Sequence, residues 1–171
     1  MDLFPFQRAG ARFLAANHFA VLGDGPGLGK TLQVLTAIQA LEPGRRHDSR
    51  CKRLCIVSTK VEMAQWLAIT LKILGNELPD ELTVVDSLPE SIRSGDLGPD
   101  TVVVFDLSPS DQVRRWIQTA RDGGARVWVL GAAWVNDVPA GAHLIARDAR
   151  DLMSDADVKL EIEEGRRGRG G

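Results

Sequence analysis

Cysteine is scarce in this chain: two residues, Cys51 and Cys55, and three histidines, His18, His47 and His143, scattered away from them. Two thiols four positions apart do not make a four-ligand zinc site, and no histidine cluster completes one, so they read as ordinary buried or surface thiols. Long apolar runs are missing as well; none approaches the ~18–20 residues needed to span a bilayer. The opening, Met1-Asp2-Leu3-Phe4-Pro5, lacks the basic segment and apolar stretch of a signal peptide. Together these absences lead us to expect a reduced, cytoplasmic protein with no membrane contact. Charge of one sign is missing too: 21 Lys and Arg against 23 Asp and Glu leave a formal net charge of −2. Global charge therefore does not mark a nucleic-acid binder, although a local basic face remains open.

What is present suits one α/β domain. The 171 residues are 44% apolar and 26% charged, with enough Val, Leu, Ile and Ala to fill a sheet core. Helical spacing of Phe6, Gly10, Phe13 and Leu14, behind a first-turn Pro5, predicts a helix over 5–17. An apolar run over 18–22 reads as a buried strand and feeds a glycine-rich turn at 23–29. A second helix is predicted over 30–41, closed by Pro43-Gly44. After a polar, basic loop at 45–53 come a strand at 54–57, a helix at 61–74 and a strand at 82–85. A strand at 101–105, a helix at 111–120, a strand at 126–130 and a last strand at 143–146 complete the pattern. Strands apolar throughout, alternating with helices, predict a mostly parallel sheet covered on both faces. Residues 1–150 form this single unit. Residues 151–171, acidic and then Gly/Arg-rich, read as a partly disordered tail. Its arginines either bind nucleic acid electrostatically or are simply solvated, with the acidic stretch before them opposing the former.

The sharpest local signal is Gly23-Asp24-Gly25-Pro26-Gly27-Leu28-Gly29-Lys30-Thr31. Glycines let the backbone curl so that successive N–H groups point into one cavity, and the helix that follows turns its positive end toward bound phosphates. Lys30 would reach the β- and γ-phosphates of a nucleoside triphosphate, ATP above all, and the Thr31 hydroxyl would hold Mg²⁺. Asp24, Gly25, Pro26, Gly27, Leu28 and Gly29 make up the loop. Asp24 stands where the strict G-x-x-x-x-G-K-[ST] pattern has its first glycine, with Gly23 one residue earlier. The segment follows a predicted strand and opens a predicted helix, which sets it apart from an incidental glycine-rich turn.

Asp-x-x-Gly-Leu-Gly-Lys-Thr resembles motif I of the Swi/Snf-like ATPases of helicase superfamily two. Leu3-Phe4-Pro5-Phe6-Gln7, with Gly10 and Phe13-Leu14 behind it, is similar to that family's opening helix. There the glutamine matching Gln7 reads the adenine edge, a task suited to an amide that both donates and accepts; by itself Gln7 reads as an exposed helix residue. Leu54-Cys55-Ile56-Val57-Ser58-Thr59-Lys60, followed by Gln65-Trp66, resembles motif Ia, whose loop faces the nucleic-acid backbone. Ser58, Thr59 and Lys60 are then candidate phosphate donors, or else a strand-to-helix loop with an N-cap. The resemblance implies a P-loop NTPase fold of RecA-like type, with ATP and Mg²⁺ as cofactors and double-stranded DNA as partner.

Thr101-Val102-Val103-Val104-Phe105-Asp106 has the shape of Walker B, an apolar strand ending in a carboxylate that orients Mg²⁺. A helix-capping acid is the other reading of Asp106. The family continues with Glu, Ala and His; here Leu107-Ser108-Pro109 follow, so the residue that polarises the attacking water is replaced. Such general-base positioning contributes about 10²–10⁴-fold, and weak or partner-dependent hydrolysis is expected. Asp111 is close in sequence. Val129-Leu130-Gly131-Ala132-Ala133-Trp134-Val135-Asn136 stands where the family has Leu-Thr-Gly-Thr-Pro-x-x-Asn, matching at Gly131 and Asn136 without the threonines. Lys30 and Asp106 are the catalytic candidates, and Thr31 and Asp106 the metal ligands. Helicase-like motors place ATP between two RecA-like lobes, with arginine fingers from the second. Only one lobe is recognisable, with no Gln-x-x-Gly-Arg-x-x-Arg motif, so the expectation is half of a split motor whose second lobe is a separate polypeptide. A degenerate lobe that binds nucleotide, DNA or protein without turnover is the alternative. A small P-loop kinase or a RecA-like recombinase fits less well, because a glutamine-bearing helix precedes the P-loop and no lid-like arginine cluster follows the core. A lone small lobe would also suit a compact viral or mobile-element genome, in which case the compartment is the host cytoplasm.

Overall fold

Residues 3–25, 28–41, 50–93, 95 and 97–147 are described by the computed structural model of the chain. Each apolar run becomes a strand: β1 Phe19–Leu22, β2 Arg53–Ser58, β3 Glu81–Val85, β4 Thr101–Asp106, β5 Arg126–Leu130 and β6 His143–Ile145. All pair in parallel, in the order β3-β2-β4-β5-β1-β6. The sheet is thus wholly parallel.

Side chains alternate across the sheet, and the alternation sorts the core into two layers. Ala20, Leu22, Leu54, Ile56, Val102, Val104, Trp128 and Leu130 face one way. They pack under α1 (Pro5–Ala16), α2 (Lys30–Ala40) and α3 (Lys60–Leu74). Phe19, Val21, Cys55, Val57, Val103, Phe105, Val127 and Val129 face the other way, against the short α4 (Glu90–Arg93) and α5 (Asp111–Asp122). Central strands buried on both faces cannot show a polar–apolar alternation, which is why they read as continuous apolar runs.

Helix boundaries follow from local chemistry. Pro5 opens α1, where its missing N–H costs nothing. Ser110 caps α5, its hydroxyl accepting the Val113 N–H at 3.1 Å, while Val113, Ile117 and Ala120 face the core. Three elements escaped the sequence reading, α4 and the one-turn 3₁₀ helices Gly75–Glu77 and Ala132–Trp134; all are too short to display a periodicity. The loop expected at 45–53 lies outside the described residues up to position 49, as does the tail at 151–171. No helix among the described residues is long and apolar enough to cross a membrane.

The strand order places the functional loops. After β1 the chain crosses by α2 to β2, and β4 and β5 fill the gap between them later. A crevice opens at the carboxyl ends of the strands where such an order reverses.

Candidate functional site

Loops from the carboxyl ends of β1, β2, β4 and β5 surround a cleft of about 560 Å³. Gly29, Lys30 and Thr31 line it from the turn after β1, and Thr59 and Glu62 from the start of α3. Asp106, Leu107 and Ser108 line it from the end of β4, and Leu130, Gly131, Ala132, Ala133 and Trp134 from the end of β5. Residues far apart in sequence, among them Lys30, Thr31 and Asp106, thus share one wall.

The cleft looks onto the start of α2. Gly29 precedes the helix with φ 74° and ψ 47°, a left-handed conformation that a Cβ disfavours. A Cβ there would also approach Gln7 Nε2 to 2.7 Å. No side chain caps α2 and no acid occupies its first turn. The Gln33 N–H donates to Gly29 O at 3.1 Å, so the N–H groups of Lys30, Thr31 and Leu32 precede the first intrahelical bond. This end of the helix is prepared for an anion. The Lys30 ammonium folds back toward the Asp24 carbonyl, at 3.5 Å.

The rest of the loop is held from behind. Asp24 is fully buried, and its carboxylate turns away from the cleft into a network. It accepts from Arg147 Nε at 3.1 Å and Nη2 at 2.9 Å, from the Arg147 N–H at 3.1 Å and from Gln33 Nε2 at 3.2 Å. Arg147 Nη2 also donates to Gln33 Oε1 at 2.8 Å, its Nη1 donates to Phe6 O, and its guanidinium lies over the Phe6 ring. Gly25 N–H donates to Arg147 O at 2.9 Å, extending the β1–β6 ladder one step past the strands. Leu28 packs with Phe6 and Phe4, and its carbonyl accepts from Gln33 and Gln7. Pro26 and Gly27 lie outside the described residues.

Gln7 is buried rather than exposed. Its Oε1 accepts the Phe4 N–H at 3.0 Å and its Nε2 donates to Leu28 O at 3.3 Å, tying α1 to the loop. One amide hydrogen and one lone pair stay available beyond these bonds.

Asp106 ends β4, and the cap of α5 is Ser110, so the capping reading of Asp106 does not hold. Trp66 Nε1 donates to Asp106 Oδ2 at 2.9 Å, and the Ser58 hydroxyl lies 3.5 Å from the same oxygen. Ser58, expected at a nucleic-acid surface, is fully buried and serves Asp106. Thr59 and Lys60 are exposed. Thr59 occupies the N-cap of α3 without a capping bond, and Lys60 reaches Asp86 at 3.8 Å. Asp111 pairs with Arg114 at 3.2 Å, its side chain 90% exposed, and is not among the lining residues. The carboxylate that does line the cleft beside Asp106 is Glu62.

Thr31 and Asp106 present a hydroxyl and a carboxylate to one space, an oxygen donor set that fits Mg²⁺. That ion keeps several waters and takes one or two carboxylates rather than an all-protein cage. No group of three or more His, Cys, Asp and Glu side chains is placed to hold a metal among the described residues.

Sequence reasoning missed Gln33, Arg147 and the partners of Asp106. Gln33 gave a weak signal, a polar residue on the inner stripe of α2; Arg147 gave none, since its partners lie over 100 positions away.

No protein-family model matches the chain. It is similar to SNF2 domain-containing protein ENL1 of Oryza sativa subsp. japonica, 38% identical over 68 residues, covering 37% of this chain and 6% of the rice protein. That partial match supports an SNF2-like relationship, and the chain spans only a small fraction of its relative's length.

Proposed function

We propose that the cleft binds Mg²⁺-ATP and that the chain is the ATP-binding lobe of a Swi/Snf-like, DNA-dependent ATPase, completed by a second RecA-like lobe. The observation that carries this reading is the meeting of Lys30, Thr31 and Asp106 at the open start of α2. Lys30 and the N–H groups beside it bind the phosphates; Thr31 and Asp106 hold Mg²⁺, which neutralises phosphate charge when bound. Gln7, at the back of the loop, meets the adenine edge with its remaining donor and acceptor. Thr59 and Lys60, exposed at the rim, contact the DNA backbone.

Calorimetry with Mg²⁺-ATP on wild type and Lys30→Ala, then turnover with and without duplex DNA, tests it. Loss of binding in the variant and DNA-stimulated turnover in wild type are expected, with turnover rising further when a second lobe is added. Equal affinities in the two proteins overturn the assignment. Leu107 lines the cleft where a water-polarising glutamate is expected, and this favours a second reading, a lobe that binds without hydrolysis. Under it, wild type binds but never turns over, and Leu107→Glu creates activity.

A further inference from the structure

Asp106 and Leu107, the two residues at the end of β4, are each gripped by a tryptophan from a different loop. Trp66, on α3 and only 3% exposed, donates its indole N–H to Asp106 Oδ2 at 2.9 Å. Trp134, fully buried in the one-turn 3₁₀ helix Ala132–Trp134 after β5, donates to the main-chain carbonyl of Leu107 at 2.7 Å. Ser58 adds a hydroxyl 3.4 Å from the Asp106 carbonyl. An indole N–H only donates, so its partner at Asp106 is an accepting oxygen, and the bond fixes which oxygen is engaged. Oδ2 is engaged from within the protein. The bond from Trp134 ends on a backbone oxygen, so it does not depend on the side chain at 107.

We propose that Trp66 and Trp134 are positioning residues for the metal-binding acid of the cleft. Together they hold Asp106 and Leu107 in register with Thr31, and they tie that acid to α3 and to the β5–β6 loop. Trp66 also sits two turns along α3 from Thr59 and Lys60, so a shift of α3 at the rim is passed to the carboxylate through a single hydrogen bond. The proposal rests on the reading of the cleft as a Mg²⁺-nucleotide site.

The test uses the whole chain labelled with ¹⁵N, whose four tryptophans give four indole N–H resonances. Trp66→Phe, Trp128→Phe and Trp134→Phe assign three of them. Asp106→Asn in the free protein should move the Trp66 resonance and leave that of Trp128, which donates to Asn17 O, in place. An unmoved Trp66 resonance overturns the proposal without reference to nucleotide. In wild type, Mg²⁺-ADP should move the Trp66 resonance more than ADP with EDTA does. By calorimetry, Trp66→Phe should weaken ADP affinity about tenfold with Mg²⁺ present and leave it unchanged with EDTA, a selectivity that general loosening of the fold would not give. Equal affinities of wild type and Trp66→Phe in both conditions overturn the proposal while the cleft reading stands. No binding of Mg²⁺-ADP by wild type overturns the cleft reading and the proposal with it.

Discussion

Asp24 is the residue at which the phosphate-loop pattern departs from its strict form, and its surroundings explain what an acid does there. A fully buried carboxylate needs charge and hydrogen bonds around it, and Arg147 and Gln33 supply them within 2.9–3.2 Å. Gly10 belongs to the same arrangement: a Cβ there would fall 1.8 Å from Gln33 Oε1 and 2.6 Å from Arg147 Nη2. Breaking a buried pair by removing one partner costs about 3–5 kcal/mol, because the other charge is left stranded. Arg147→Met should therefore lower the unfolding free energy measured in urea by about that much, while the double variant Arg147→Met/Asp24→Asn should recover a large part of the loss. Equal midpoints for Arg147→Met and wild type would show that the pair does not hold the loop. At this scale the sequence told half the story. Asp24, Lys30 and Thr31 were legible because they stand at fixed short spacings, whereas Arg147 answers Asp24 from 123 positions away and leaves no local mark.

Helices and strands were legible to within a few residues, because the signals that set them are local. Leu54, Ile56, Val102 and Val104 are apolar because helices cover both faces of their strands, and α5 shows its inner stripe at Val113, Ile117 and Ala120. Capping roles were less legible: Thr59 and Ser110 stand in the same position, ahead of α3 and α5, and look alike in sequence. Ser110 accepts the Val113 N–H, while Thr59 makes no capping bond and turns its surface to the cleft. Loss of a capping hydroxyl costs about 1 kcal/mol. Ser110→Ala should accordingly lower stability by about that amount in urea, and Thr59→Ala by less than about 0.5 kcal/mol, the usual range for a surface change. A Thr59→Ala loss as large as that of Ser110→Ala would mean the hydroxyl caps α3 in solution.

At the scale of the whole molecule, strand order was the part that could not be read, since β3-β2-β4-β5-β1-β6 depends on which apolar run lies beside which. That order brings Asp106 and Lys30 to one cleft, whereas the sequence names these residues without saying where they meet. The same sheet encloses Cys55, while Cys51 is buried just ahead of β2, and burial pushes both thiols up to about 12. The sign of the consequence follows from proton counting. Above the ordinary thiol value of 9.0 the unfolded chain releases both protons while the folded protein keeps them, so the folded state binds more protons. Stability conferred at lower pH is then lost as pH rises from about 9 toward 12, with a limiting slope of about 1.4 kcal/mol per pH unit for each thiol. Denaturation midpoints measured between pH 8 and 10.5 should fall in wild type and fall less steeply in Cys51→Ala/Cys55→Ala, which has no thiols to ionise. Alkylation at pH 8 should track unfolding, because neither thiol is exposed or ionised in the folded chain. Parallel slopes in the two proteins, or alkylation much faster than unfolding, would mean that the β3–β2 end of the sheet opens independently of the rest, and that the two core layers do not come apart together.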